Sequence, residues 1–366
     1  NPVDVSFENI GPKINSEYPD YYPYITEDES TLVFTSRRKK SGTTVEFDGY
    51  FNSDIFMVQK FNSEYPKVKN SGSLVNTNYD EQVVGLSRDG VQMMVYIDHV
   101  DEYGDIYQSN WMTSKYNSIQ KLGVNVNSDE LETSASFSED GNTLFFASRR
   151  PGGHGGLDIW MSRKLPDGSW GKSQNLGPEV NTPYDEDFPF LGQDDKLFFS
   201  SNGHPGMGGF DLNVCVWNAE TNKWGEAMNI GFPINTPEDN RTISFNSNGS
   251  HAYVSMHRKD GYGDLDIYRV VFNESNYKPA LMEFEVFEHN TEIKIVCDLV
   301  ILDEFDNIYG IYRPNQSSGK YIIPMIPGNY NISIEADGYQ EYYDQFIVLD
   351  SEVDGKNHKK KLFITK

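Results

Sequence analysis

Acidic residues recur at one position of a repeated loop, and their spacing suggests a binding or catalytic site. Each position lies five residues after an asparagine that follows Ile or Val, and the five positions hold Asp20, Glu81, Glu132, Glu186 and Asn240. The positions directly after these hold Tyr21, Gln82, Thr133, Asp187 and Arg241. Carboxylates gathered around one opening can bind a cation or a peptide, or act as the paired carboxyl groups of a glycosidase. Alternatively, they accept hydrogen bonds from backbone N–H groups of their turn or from arginines of a neighbouring repeat, and hold the loops in place.

Basic residues lie in segments that come between the acidic loops. "SRRPGGHGG" contains Arg149, Arg150 and His154, and "SNGHPGMGG" contains His204. Arginines in or near these loops would offset the repulsion that otherwise raises the pKa values of clustered acids. They are Arg37, Arg38, Arg149, Arg150, Arg241 and Arg258. The candidate binding residues are therefore Asp20, Glu81, Glu132, Glu186, Asp187, Arg241, Arg149, Arg150, His154 and His204.

Three histidines at related positions, His154, His204 and His257, raise the question of a metal site. Each belongs to a different repeat, and repeats spaced around a ring would hold the three rings too far apart to share one ion. The acids of "DEFDN", at residues 303–307, lack the spacing of a calcium loop and indicate an ordinary turn. We predict no metal and no cofactor.

The asparagines belong to a repeat that keeps its register over five copies. They are Asn15, Asn76, Asn127, Asn181 and Asn235, with spacings of 61, 51, 54 and 54 residues. A glycine precedes each by four positions, at Gly11, Gly72, Gly123, Gly177 and Gly231. An Asp-aliphatic pair recurs as well, beginning at Asp54, Asp105, Asp158, Asp211 and Asp266. A period of this length is typical of a β-propeller blade.

Each repeat contains four short predicted strands, named a to d from the centre of the ring outward. In the third repeat "TLFFAS" follows an Asp-Gly hairpin turn as strand b, and "LDIWMS" is strand c. The opening "VSFENIGPKIN" matches the end of the other repeats, whereas the fifth repeat lacks that ending. We therefore predict an all-β fold with five blades, in which the N-terminal strand completes the last blade; a sixth, degenerate blade is the alternative.

The arrangement of a blade predicts where the candidate residues lie. Loops d–a and b–c emerge on one face of a propeller, so the acidic loops and the glycine-rich loops should share it. Strand a is innermost, which places the acids around the mouth of the central channel. The propeller is predicted to span residues 1–279. The repeat ends there, and residues 280–366 show period-2 strands that indicate a small β-sandwich.

Composition excludes several classes of function. The 366 residues carry a net charge of -24, which repels phosphate backbones and argues against nucleic acid as a partner. No apolar run reaches the ~20 residues of a membrane span, and the opening Asn-Pro suggests a processed or excised chain. Two cysteines without metal-type spacing, Cys215 and Cys297, are expected to be buried free thiols.

The repeat resembles a known family. "SEDGNTLFFASRRPGGHGGLDIW" looks like the PD40, or WD40-like, repeat of TolB-type propellers, and its glycine-rich part is similar to Bacteroidota envelope proteins of the OmpA family and PorE-like components of the type IX secretion and gliding apparatus. "SGKYIIPMIPGNYNISIEADGY" resembles the transthyretin-like, carboxypeptidase regulatory-like sandwich. This resemblance implies a periplasmic or outer-membrane-associated protein, with peptidoglycan bound only through a further module that this sequence does not contain.

Common enzyme motifs, such as a nucleophile elbow, HExxH or a P-loop, do not occur in the sequence. We therefore predict a non-enzymatic envelope scaffold that binds one or more envelope proteins, such as outer-membrane or secretion-complex subunits. The alternative is a carbohydrate-binding or glycoside-hydrolysing five-bladed propeller. Aromatic residues near the predicted mouth, Tyr18, Tyr21, Tyr79, Tyr184 and Phe188, keep that alternative open.

Overall fold

A computed structural model shows an all-β protein, as predicted. It describes residues 3–366 except 41–44, 61–65, 99–103, 194, 220, 273–279, 305, 316–317, 350–351 and 353–356. Within these residues, the first part of the chain forms five sheets, one for each repeat, and the second part forms two more. The same described residues contain no helix with the length and apolar character needed to cross a bilayer.

The chain opens with strand β1 (Val5–Asn9), and the first three blades follow. The first blade contains β2 (Asp20–Ile25), β3 (Thr31–Ser36), β4 (Asp54–Gln59) and β5 (Lys69–Asn70). The second contains β6 (Asp80–Leu86), β7 (Gln92–Asp98), β8 (Asp105–Asn110) and β9 (Gln120–Lys121). The third contains β10 (Glu132–Phe137), β11 (Thr143–Ser148), β12 (Asp158–Arg163) and β13 (Gln174–Asn175). In each blade, consecutive strands pair antiparallel.

The last two blades depart from this pattern in their outer strands. The fourth blade contains β14 (Glu186–Leu191), β15 (Lys196–Ser201), β16 (Asp211–Asn218), β17 (Lys223–Trp224) and β18 (Met228–Asn229). Both β17 and β18 pair with the long strand β16. The fifth blade contains β19 (Ser244–Phe245), β20 (His251–Met256) and β21 (Asp266–Phe272). Its fourth strand is β1 from the other end of the sequence.

The N-terminal strand completes the ring, which confirms the predicted closure. β1 pairs antiparallel with β21, with Val5 opposite Phe272 and Asn9 opposite Tyr268. Beyond the strand, the Asn15 side chain accepts a hydrogen bond from the Ile267 backbone N–H and donates one to the Ile267 carbonyl, both at 2.9 Å. This closure covers the outer edge of the last blade, which would otherwise be exposed to pairing with another chain.

The repeated asparagines form the same pair of bonds in every blade. Each side chain bonds both backbone groups of the aliphatic residue that follows the strand-c aspartate, in the pairs Asn76–Ile55, Asn127–Ile106, Asn181–Ile159 and Asn235–Leu212. These amides are buried. The asparagine recurs because an amide supplies an acceptor to the N–H of that residue and a donor to its carbonyl, which also accepts one backbone bond, as from Leu122 to Ile106 at 3.1 Å.

Residues 280–366 form a two-sheet sandwich. Its strands are β22 (Ala280–Glu288), β23 (Asp298–Asp303), β24 (Ile308–Tyr312), β25 (Lys320–Met325), β26 (Gly328–Glu335), β27 (Tyr342–Val348) and β28 (Asn357–Ile364). The sheets β25-β22-β28 and β24-β23-β26-β27 enclose one core that includes Phe284, Tyr321 and Ile332. The predicted boundary at residue 279 lies outside the described residues and stays a prediction.

Candidate functional site

The five repeated polar residues end the d–a loops and are buried. Asp20, Glu81, Glu132 and Glu186 have no exposed surface, and Asn240 retains 4%. In each repeat a Ser or Thr four residues earlier donates to the carboxylate or amide oxygen; these donors are Ser16, Thr77, Ser128, Thr182 and Thr236. The acids therefore fasten the d–a loop to the start of strand a. This geometry fits the structural interpretation, and a ligand role for these carboxylates stays a prediction.

The third blade adds a buried arginine to this arrangement. Glu132 accepts bonds from the Ser128 N–H at 2.8 Å and the Ser148 hydroxyl at 2.5 Å, and its Oε1 lies 3.2 Å from the Arg150 guanidinium. The Arg150 side chain is only 9% exposed and lies over the Phe146 ring. Arg38 pairs with Asp20 in the first blade in the same way, at 2.5 Å. In both pairs the arginine comes from the same blade as the acid, not from the neighbouring blade that the sequence suggested.

The fourth blade has the acid without an arginine partner. Glu186 accepts bonds from the Thr182 N–H and hydroxyl and from the Ser201 hydroxyl, each at 2.7 Å. Burial raises the pKa of Glu186 more than these hydrogen bonds lower it, and the pKa reaches about 7. Burial likewise raises the pKa of Glu81 in the second blade to about 7. These two carboxyl groups thus titrate near neutrality while they hold their loops.

His204 occupies the place of the arginine in the fourth blade. Its ring lies 2.7 Å from the Val180 carbonyl, the group before the anchor asparagine. Arg150 donates to the equivalent Val126 carbonyl in the third blade. Burial lowers the pKa of His204, which favours the neutral ring. His204 therefore replaces the arginine as a donor to the loop, but not as a permanent positive charge beside the acid.

The residues that directly follow the repeated acids have different partners from blade to blade. Asp187 accepts bonds from the hydroxyls of Thr133 at 2.7 Å and Ser134 at 2.5 Å, which links the third and fourth blades. Burial raises the pKa of Asp187. Arg241 pairs with Asp239 at 2.9 Å and lies over the Phe210 ring. It is the more exposed of the two residues.

Two aromatic rings from non-adjacent blades are in contact. Tyr22 and Phe188 come from the first and fourth blades, and their centroids are 4.5 Å apart. Both have a positive φ, 52° and 50°, where the register of strand a shifts. The sequence does carry a signal for this contact: the position seven residues after the anchor asparagine is aromatic only in these two repeats.

The glycine-rich b–c loops lie against the next blade's d–a loop, so the two loop sets share one face, as predicted. The Gly156 N–H donates to the Tyr184 carbonyl at 2.7 Å. A Cβ at Gly155 would come within 2.4 Å of the Thr182 and Tyr184 carbonyl oxygens. Asp158 fastens the same loop by accepting bonds from the His154 and Gly155 N–H groups. The glycines thus allow contact between blades.

The histidines do not converge. The His154 side chain is exposed, and His257 lies 3.1 Å from Asp264. Within the described residues, no three His, Cys, Asp or Glu side chains are placed to hold a metal ion. In the "DEFDN" turn, Asp303 accepts bonds from the side chain and the N–H of Asn307.

The exposed residues on this face include three tyrosines and an arginine. Tyr79 and Tyr184 in d–a loops are 45% and 40% exposed, and Tyr262 in the b–c loop of the fifth blade is 51% exposed. Arg149 has a half-exposed side chain that lies 3.7 Å from Asp185. We call Tyr79, Tyr184, Tyr262 and Arg149 the upper tyrosine face. Tyr262 was missed in the sequence because the b–c loops vary in length and composition.

Solved propeller structures are similar to this chain in fold. No protein-family model and no curated protein matches the sequence. TolB from Acinetobacter baumannii is 17% identical over 70% of this chain, with a TM-score of 0.44, and the match spans only 55% of the TolB chain. An α-L-arabinofuranosidase from Lactobacillus brevis is 12% identical over 73% of this chain and 94% of its own, with a TM-score of 0.46. A structure named as a glycoside hydrolase is 9% identical over 71% of this chain and 89% of its own, with a TM-score of 0.45.

These neighbours correct one prediction. The absence of common enzyme motifs led us to predict a protein without enzymatic activity. Structures named as a glycoside hydrolase and an arabinofuranosidase share the propeller fold, so that prediction was wrong. Those motifs belong to other folds, so their absence says little about the activity of a propeller.

Proposed function

We propose that this protein is an interaction scaffold that binds a partner protein through the upper tyrosine face. The observation that carries the proposal is that buried and exposed residues on that face have different roles. The acids point inward and fasten the loops, whereas Tyr79, Tyr184 and Tyr262 extend outward. Tyrosine and arginine are enriched in protein interfaces because each supplies a large contact area together with a polar end.

Rigid loops strengthen this proposal. Glu132 and Glu186 each fasten a d–a loop through three or more hydrogen bonds. The b–c loops lie against those d–a loops, so the two sets support each other. A face that is ordered before binding loses less conformational entropy when a partner docks.

The resemblance of the repeats supplies a cellular context for the proposal. We propose a periplasmic or outer-membrane-associated protein whose partner is another envelope protein, such as a subunit of a secretion or gliding complex in a Bacteroidota cell. The sandwich would be a carboxypeptidase regulatory-like domain that holds the propeller beside its next neighbour. Peptidoglycan would be bound only by a further module.

Photo-crosslinking from one position tests the proposal. A benzophenone amino acid replaces Tyr184 in cells of the native host, and a matched sample carries it at Tyr343 of the sandwich, which is 55% exposed. We expect a crosslinked protein at Tyr184 that is missing at Tyr343. The same crosslink should disappear when Tyr79 and Tyr262 are changed to Ser. A crosslink that survives those changes, or one equally strong at Tyr343, would contradict the proposal.

Carbohydrate binding is the second candidate, because exposed tyrosine rings also stack on sugars. A glycosidase would need two carboxyl groups facing one open pocket. Glu81, Glu132 and Glu186 are turned into their own loops, so the pair would have to come from other residues. Screening glycans for binding and for released reducing ends would identify this function. Loss of both signals in the Tyr79→Ser and Tyr184→Ser variant would place it on the same face.

A further inference from the structure

A groove lies between the third and fourth blades, on the face opposite the upper tyrosine face. It has a volume of about 740 Å³. The c–d hairpin of the fourth blade forms one wall and the a–b turn of the third blade forms the other. Its aromatic and charged lining includes Trp217, Trp224, Phe145, Glu139, Asp140 and Asp195. This groove is separate from the upper tyrosine face and does not depend on the function proposed for that face.

The equivalent hairpin of the third blade shows which side chain packs against a tryptophan at this position. Its c–d hairpin brings Lys164 opposite Trp170, and the Lys164 ammonium lies 5.6 Å from the indole ring. Trp224 is the counterpart of Trp170, since each is followed by glycine, and Trp217 is the counterpart of Lys164, since each lies six residues after the strand-c aspartate. The hairpin of the third blade therefore covers its own tryptophan with a cation.

In the fourth blade an aromatic ring takes the place of that lysine. The Trp217 and Trp224 rings meet edge to face at 5.2 Å, and Phe145 of the third blade lies 6.1 Å from Trp224. Both tryptophans are half-buried, so parts of their rings line the groove. Such rings attract a cation through their electron-rich faces.

The charges around the groove favour a cationic occupant. Three carboxylates, Glu139, Asp140 and Asp195, stand against a single arginine, Arg163. Asp140 is also held by its own turn, where it accepts a bond from Ser138 at 2.6 Å. Glu139 has a 74% exposed side chain, and Arg88 is its nearest cation at 3.5 Å. The excess of negative charge beside aromatic rings suits a lysine or arginine better than a neutral sugar.

We propose that this groove binds an extended, lysine- or arginine-containing segment of a partner protein. A basic side chain of that segment lies over the Trp217–Trp224 pair, as Lys164 lies over Trp170. Its charge faces Glu139 and Asp195, and its neighbours in the segment pack against Phe145. The groove thus gives the scaffold a second docking surface, which is selective for basic segments and lies opposite the first.

Peptide titration followed by NMR of the tryptophan indole N–H groups tests this inference. The probe is the pentapeptide Gly-Lys-Leu-Lys-Gly with acetylated and amidated ends, and the control replaces both lysines with glutamine. The lysine peptide should shift the Trp217 and Trp224 signals, with an affinity that falls as salt is raised. Equal shifts with the glutamine peptide, or shifts with a neutral oligosaccharide but not with the lysine peptide, would overturn the proposal.

The third blade suggests the decisive variant, Trp217→Lys. This change supplies the cation from within the hairpin, as Lys164 does, and should weaken the lysine peptide by about tenfold or more. Unchanged affinity in a folded Trp217→Lys protein would rule the inference out. Should that variant fail to fold, the exposed double change Glu139→Gln and Asp195→Asn should weaken the peptide by about threefold or more at low salt. An unchanged affinity there would be equally decisive.

Discussion

The third and fourth blades answer the same structural need in different ways. Both bury a glutamate that fastens the d–a loop, and both place a donor against the carbonyl before the anchor asparagine. In the third blade that donor is Arg150, which also neutralises Glu132. In the fourth it is His204, and Glu186 stays without a cation beside it, with a pKa of about 7. A repeated acid therefore need not mean a repeated charge, and a ring of acids in the sequence is not a ring of charges in the folded protein.

The first way to sharpen this comparison is to remove the arginine. Arg150→Ala leaves Glu132 buried without its cation and removes the bond to the Val126 carbonyl. Breaking a buried pair in this way costs about 3–5 kcal/mol of unfolding free energy. Urea denaturation of the variant and the parent measures this cost. A loss below ~1 kcal/mol would show that the pair contributes little to this loop.

Asparagine variants test whether the difference is confined to the acids. Asn127 and Asn181 make the same two backbone bonds in the two blades and are buried to a similar extent. Changing either to Ala leaves the buried N–H of Ile106 or Ile159 unpaired and removes one of the two bonds to the carbonyl of that residue, so each should cost about 2 kcal/mol. Denaturation should give two values that agree within ~0.5 kcal/mol. A much larger loss in one blade would mean that the blades differ in more than their acids.

The raised pKa of Glu186 makes the contribution of the fourth blade to stability depend on pH. The folded pKa of Glu186 is about 7 and its ordinary value is 4.5, so between these values the folded chain binds more protons than the unfolded chain. Stability from this site is therefore greatest below that window and falls as the pH rises through it. Glu186→Gln removes this dependence. Relative to the parent, the variant should gain about 2 kcal/mol between pH ~5 and pH ~8.

The fifth blade supplies the natural control for that variant. It carries Asn240 at the equivalent position, and the amide oxygen accepts bonds from the Thr236 N–H and hydroxyl. An amide thus fulfils the capping role without a charge, and Glu186→Gln should keep the loop folded. A variant whose stability relative to the parent is the same at both pH values would contradict the raised pKa of Glu186.

Much of the fold followed from sequence alone, because repeats carry their own internal comparison. The register of the asparagines, glycines and strand-c aspartates predicted the blades, and the orphan ending of "VSFENIGPKIN" predicted that β1 closes the ring. The site was harder to predict. Glu132 and Glu186 are buried because the d–a loop folds back over them. An open ring of exposed acids would show the same pattern in the sequence, so the sequence does not distinguish the two arrangements.

Other features depended on packing that the sequence does not show. Tyr22 and Phe188 come from non-adjacent blades, and their rings meet where both residues have a positive φ at the register shift of strand a. Trp217 and Trp224 line a groove because the c–d hairpin of the fourth blade packs beside the third blade. The sequence gives a better indication of which blades have the arginine pair, since "SRR" occurs in the first and third repeats and "SNGH" in the fourth.

The most direct test of the account compares two isosteric variants, Glu132→Gln and Glu186→Gln, in urea at pH ~8. The account predicts opposite signs. Glu132→Gln should destabilise the protein by about 3 kcal/mol, because Arg150 loses its buried partner. Glu186→Gln should leave it equally stable or more stable, because an amide replaces a buried charge that has no cation beside it. Losses of similar size in both variants would contradict the claim that a cation neutralises the buried acid in the third blade but not in the fourth.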